Sequence, residues 1–170
     1  MSAKIAICDD SAEDVEKLSL ALNNYNPMFE IITYYNGQTL INDVLADRFV
    51  ADILFLDIYM PVLDGIQTAK QIRSLRKDLR IIFLTTSMDH YPQSYEVFAF
   101  NYIVKPFKEQ QLYHVLQYAL KDISKTDSYK ISFQYKGSTY TMDYREIIYI
   151  ESLNRLILYY LSDRNIIQRY

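Results

Sequence analysis

Asp9, Asp10, Asp57, Thr85 and Lys105 are the residues whose types and spacing could do chemistry together. Each ends or follows a short apolar run: Ile5-Ala6-Ile7-Cys8 leads into Asp9, Ile53-Leu54-Phe55-Leu56 into Asp57, Ile81-Ile82-Phe83-Leu84 into Thr85, and Tyr102-Ile103-Val104 into Lys105. In an open parallel sheet the reactive crevice lies beyond the carboxyl ends of the strands. Three carboxylates, a hydroxyl and an ammonium would then meet at one edge. Carboxylates so close repel and raise one another's pKa unless a cation neutralises them. Mg2+ suits such a pocket, because it prefers oxygen ligands and often bridges carboxylates to a phosphate. An aspartate can act as a covalent nucleophile and form an acyl phosphate. Phosphoryl transfer relies mainly on positioning and charge stabilisation, which a lysine and a hydroxyl would supply. Taken singly, the paired aspartates also suit a turn or helix cap, Thr85 a strand and Lys105 a surface loop. Their joint occurrence at successive strand ends carries the functional reading. Asp89, His90 and His114 lack such support and are taken as surface or helix-face residues.

The elements that must position these residues alternate regularly. Strand patterns at 4–8, 29–35, 53–56, 81–85 and 102–104 are separated by helical patterns near 12–23, 38–45, 66–75, 92–98 and 109–123. Ser11, with Asp14 three residues later, marks the start of the first helix. Strands such as Ile53-Leu54-Phe55-Leu56 are apolar on both faces, as in a parallel sheet covered by helices on both sides. The expected fold is a doubly wound, five-stranded α/β domain over residues 1–123. A polar linker is expected at 124–128. Beyond it, closely spaced strand patterns at 129–135, 140–142, 147–152, 156–161 and 166–170 predict a second, all-β segment with turns at Lys136-Gly137 and 162–165.

The totals agree with one full domain and a smaller part. Half of the 170 residues are apolar, enough for one ordinary core and some remainder. No run approaches the length of a membrane helix and the start lacks a signal peptide's apolar segment, so a cytoplasmic protein is expected. The single cysteine, Cys8, lies in an apolar run and reads as a buried small hydrophobe. The first 123 residues carry 11 basic and 16 acidic side chains and the remainder 7 and 5, so only the second segment tolerates an anionic partner. Seventeen tyrosines without a tryptophan point to core and strand packing rather than to a base-stacking platform.

Ile7-Cys8-Asp9-Asp10-Ser11, Phe55-Leu56-Asp57-Ile58-Tyr59-Met60-Pro61, Asp64-Gly65, Leu84-Thr85 and Tyr102-Ile103-Val104-Lys105-Pro106-Phe107 together resemble the response-regulator receiver family, over residues 1 to about 123. The resemblance implies that Asp57 accepts a phosphoryl group from a sensor histidine kinase. It implies a Mg2+ site at Asp10, Asp57 and the Tyr59 backbone carbonyl, with Asp9 assisting through water. Thr85 and Lys105 would contact the phosphoryl group, and Tyr102 would be an aromatic switch. The phosphate would draw the Thr85 hydroxyl inward and vacate space for the Tyr102 ring. The face formed by residues 92–120 would then repack and form a homodimer. Such a protein is a phosphoacceptor with slow self-phosphorylation and autodephosphorylation, not an enzyme. Thr86 and Tyr59 are bulkier than the family pattern and are expected to alter the phosphorylated lifetime.

Residues 129–170 resemble the start of a LytTR-type DNA-binding domain, through Asp143-Tyr144-Arg145-Glu146-Ile147-Ile148-Tyr149-Ile150-Glu151-Ser152 and then Asn154-Arg155. The resemblance implies that Asn154 and Arg155 lie on the first DNA-contacting loop, where a carboxamide and a guanidinium can read purine edges in promoter DNA; a plain hairpin turn is the alternative. An effector of this type is about twice as long, so the segment is expected to be incomplete. One competing function is a stand-alone phospho-receiver adaptor that acts through protein contacts without DNA. Another, a haloacid-type aspartate phosphatase, wants a carboxylate two residues after the nucleophile, where this chain has Tyr59.

Overall fold

The computed structural model describes residues 3–87, 89–128, 130–135, 138–153, 156–161 and 165–169. The chain divides into two compact units, Met1–Leu120 and Lys121–Tyr170.

The first unit is built from β1 (Lys4–Cys8), α1 (Ala12–Tyr25), β2 (Glu30–Tyr34), α2 (Gly37–Leu45), β3 (Ile53–Leu56), α3 (Gly65–Leu75), β4 (Arg80–Thr85), α4 (Tyr91–Glu96), β5 (Asn101–Val104) and the part of α5 (Glu109–Ser128) up to Leu120. All five strands are parallel, in the order β2-β1-β3-β4-β5. This is the flavodoxin-like order, with its switch point between β1 and β3. The central strands are buried on both faces: all four residues of β3, and residues 81–85 of β4, are buried, whereas the edge strands β2 and β5 are largely exposed or half-buried. Phe55, Phe83, Leu54, Leu56 and Ile72 are nearly or fully excluded from water. Each such side chain contributes about 1.5–3 kcal/mol relative to exposure.

Side-chain caps fix where the helices begin. The Ser11, Asn36 and Asp64 side chains accept from the N–H groups of Asp14, Thr39 and Gln67 at the starts of α1, α2 and α3. At the start of α3, Gly65 N–H donates to Ile58 O at 2.9 Å, and a Cβ on Gly65 would come within 2.1 Å of Asp57 O. Only glycine lets the helix approach the peptide of residue 57 so closely.

Two helix ends differ from the sequence expectation. The segment 92–98, expected to be helical throughout, stops at Glu96, because Phe98 turns to φ 50° and Ala99 N–H reaches back to Ser94 O. The expected linker at 124–128 is instead the last turn of α5, which runs on to Ser128. This stretch has neither Gly nor Pro, so its polarity alone does not end the helix.

In the second unit, β6 (Lys130–Tyr135) and β7 (Ser138–Asp143) form an antiparallel pair. A 3-10 turn at Tyr144–Glu146 leads into β8 (Ile147–Leu153), β9 (Leu156–Leu161) and β10 (Asn165–Arg169), an antiparallel sheet in the order β10-β9-β8. The register shifts between Ile147 and Tyr149, and beyond it the Tyr149 and Tyr160 rings stack at 4.0 Å. The expected turn at Lys136-Gly137 and residues 162–164 of the turn expected at 162–165 lie outside the described residues, and Asn165 already belongs to β10.

Candidate functional site

The switch point gathers the residues expected there. The strand ladder reaches one residue past the strand ends: Asp9 N–H donates to Tyr34 O at 3.0 Å, Asp57 N–H to Cys8 O at 2.9 Å, and Lys105 N–H to Thr85 O at 2.8 Å. The backbone of the sheet therefore aims these side chains. One carboxylate oxygen each from Asp9, Asp10 and Asp57 lie within 4.8 Å of one another. Asp9 and Asp57 are buried and Asp10 is exposed.

Lys105 enters this cluster from β5. Its Nζ is 2.6 Å from Asp9 Oδ2, 2.9 Å from Asp14 Oδ2 and 3.5 Å from Asp57 Oδ1. The Lys105–Pro106 peptide bond is cis. Asp9 is held on its other oxygen by the Ser11 N–H at 2.9 Å. Asp57 Oδ1 is buried without a hydrogen-bond partner; its contact with Lys105 is an ion pair too long for a good hydrogen bond.

Burial pushes the Asp57 carboxyl above the usual carboxylate range; the Lys105 charge opposes this and the Asp9 charge adds to it. Burial works against the charged Lys105, but its hydrogen bonds to Asp14 and Asp9 and the charge of Asp57 prevail, so its pKa is raised. Cys8, buried behind the cluster, has its thiol pushed up to about 12 by burial and then by Asp9. It is therefore a packed thiol rather than a thiolate.

Thr85 is fully buried, and its hydroxyl oxygen has no hydrogen-bond partner. Tyr102 is half-buried, its ring 6.0 Å from Phe83 and its hydroxyl donating to Ser87 O. Burial raises the Tyr102 phenol to about 12, with Tyr59 and Asp89 adding to the shift. Tyr59 is exposed and meets the His90 ring edge-on at 5.5 Å. Thr86 is exposed. Asn154 and Arg155 lie outside the described residues.

Sequence reasoning missed two features. Asp14 was read through the cap it completes, yet only its N–H serves the cap, leaving its carboxylate to Lys105. His90, taken as a surface or helix-face residue, sits at the start of α4 and packs on the exposed Tyr59. A further acid in the first turn of the first helix was the available signal for Asp14; nothing in the sequence pairs residues 59 and 90.

The donor set is all oxygen, and a buried Asp57 oxygen lacks a partner. Both features fit a hard divalent cation such as Mg2+. Fold and site together define a flavodoxin-like α/β domain with a triple-carboxylate pocket at its switch point. Residues 5–117 match the family model for the response regulator receiver domain, and the chain belongs to that family. It is 34% identical over 132 residues to the sensory transduction protein LytT of Oceanobacillus iheyensis, covering 76% of this chain and 51% of that protein. It is 30% identical over 114 residues to the transcriptional regulatory protein YpdB of Escherichia coli, covering 67% of this chain and 46% of that one. The crystal structure of the response regulatory domain of MrkE from Klebsiella pneumoniae superposes with a TM-score of 0.64 at 26% identity, covering 72% of this chain and 98% of that one. The chain spans about half the length of the curated relatives it matches. No helix among the described residues is long and apolar enough to cross a membrane.

Proposed function

We propose that this chain is the signal-receiving part of a cytoplasmic transcriptional regulator that takes a phosphoryl group from a sensor histidine kinase onto Asp57. The observation that carries the proposal is the buried, unpartnered Asp57 Oδ1 facing the Lys105 ammonium beside two further carboxylates. An Asp57 oxygen attacks the phosphorus of a phosphohistidine; a P–O bond forms, the P–N bond breaks, and the imidazole leaves with its electron pair and takes up a proton. Asp10, Asp57 and the Tyr59 backbone carbonyl would hold Mg2+, with Asp9 assisting through water; the ion when bound offsets the negative charge around the phosphoryl oxygens. The Lys105 ammonium and the unpartnered Thr85 hydroxyl donate to those oxygens. As Thr85 turns inward, Tyr102 exchanges its bond to Ser87 for the vacated space.

The relatives' names support a transcriptional output, reached here through a LytTR-like effector that begins in the second unit and uses Asn154 and Arg155 on promoter DNA. The first test is intact mass after incubation with acetyl phosphate and Mg2+. A hydroxylamine-labile phosphate adduct is expected in the wild-type protein and not in Asp57→Asn. No adduct in either protein would overturn the proposal.

A further inference from the structure

The Lys105 ammonium has three N–H donors and meets three carboxylates. Two of these contacts are hydrogen bonds, to Asp9 and Asp14; the third direction faces Asp57 Oδ1 at 3.5 Å. Asp14 stands outside the group of three acids whose oxygens converge on one point. It comes from a different element, the first turn of α1, where its N–H is tied to the Ser11 hydroxyl at 3.3 Å. The cap thus fixes the backbone from which the Asp14 carboxylate reaches Lys105. Asp9 alone would leave the ammonium free to swing about a single contact, and a second anchor on a rigid helix removes that freedom.

Resting on the phosphoacceptor reading above, we infer that Asp14 is a positioning residue for phosphoryl transfer: it pins the Lys105 ammonium from the α1 side, so that its remaining donor faces the phosphoryl group arriving on Asp57. The Asp14 side chain is 33% exposed, against 5% for Asp9 and 10% for Lys105. It also lines a cavity of about 520 Å³ shared with Lys17, Thr86 and Phe107. Asp14 is therefore the solvated anchor and Asp9 the buried one. Losing Asp14 leaves the pocket's inner contacts in place while loosening the lysine.

The test measures the rate of adduct formation from acetyl phosphate and Mg2+ in the full chain, for Asp14→Ala, Lys105→Met and the double variant. Asp14→Ala is expected to slow the wild-type rate by about tenfold, less than the roughly hundredfold produced by a misplacement of about 1 Å. In the Lys105→Met background it should cause no further slowing. Asp14→Asn, which keeps an oxygen acceptor at the same position, should recover most of the rate. In metal-free 15N-labelled protein, the Lys105 ammonium resonance should broaden in Asp14→Ala and persist in Asp14→Asn. A wild-type rate in Asp14→Ala, or equal slowing with and without Lys105, would overturn the inference and leave the phosphoacceptor reading standing. Absence of the adduct from the wild-type protein would overturn both.

Discussion

Burial and the nearby Asp9 both disfavour the charged form of Asp57, and Lys105 offsets only part of this. The folded carboxyl therefore binds its proton more tightly than the unfolded one, whose pKa is near 3.8. Between that value and the raised folded value, the native state holds the extra proton, so this group's contribution to stability grows as pH falls and is lost as pH rises. At neutral pH the ionised Asp57 costs stability. Asp57→Asn is expected to raise the metal-free unfolding midpoint at pH 7, with the difference narrowing on acidification towards pH 4. Calorimetric scans at the two pH values check this, and a lower midpoint at pH 7 would contradict it. At this scale much of the site was legible, because Asp9, Asp10, Asp57, Thr85 and Lys105 stand at strand ends, where chain order alone brings them to one edge. Asp14 was hidden by its second role, since a cap motif accounts for an acid at that position without calling for a distant lysine.

Among the elements, α3 and the end of α4 are clamped by the Arg73 side chain. Arg73 donates to the carbonyls of Val97 at 2.9 Å and Phe98 at 3.2 Å, and to those of Arg76 at 3.1 Å and Lys77 at 2.9 Å. Burial lowers its pKa, and the carbonyls of two helix ends take up its donors. Nearby, Lys70 pairs with Glu96 at 2.8 Å across the same two helices. That pair is exposed and contributes little. Arg73→Ala is expected to destabilise the domain by about 1–3 kcal/mol in urea titrations, because it strips partners from part-buried carbonyls. Arg73→Lys should restore only part of this, since an ammonium lacks the planar fork that spans them. The clamp takes up the carbonyls just past the early stop of α4. Apolar periodicity marked residues 92–98 as one face, but it carries no information about carbonyls engaged by an arginine 24 residues away. The extension of α5 was missed for a related reason: polar residues permit a helix as readily as a linker when no glycine or proline intervenes.

For the whole molecule, the first unit presents Tyr95, Phe98 and Tyr118 to solvent, at 66%, 79% and 55% exposure. They belong to the stretch expected to repack when Tyr102 moves. Sedimentation of the full chain with beryllofluoride and Mg2+ is expected to show a shift from monomer towards dimer, and an unchanged monomer would count against activation by pairing. The five-stranded architecture was readable because apolar runs and helical stretches alternate without interruption. The second unit's strands were equally plain, whereas the 3-10 turn at Tyr144–Glu146 and the shift between Ile147 and Tyr149 are backbone events with little compositional signature.

The hydrogen bond between Lys105 and Asp9 closes a span of 96 residues, and it does so from β5, an edge strand of the sheet. On a ribosome that adds about 5–20 residues each second, the two ends of that span emerge roughly 5–20 s apart. During that interval a nascent chain can carry Asp57 without its lysine, and β4 stands as an unpaired edge. The carboxylate pocket thus gains its lysine only after every residue from 9 to 105 has emerged, and its earlier acids wait on the strand that is made last in the sheet.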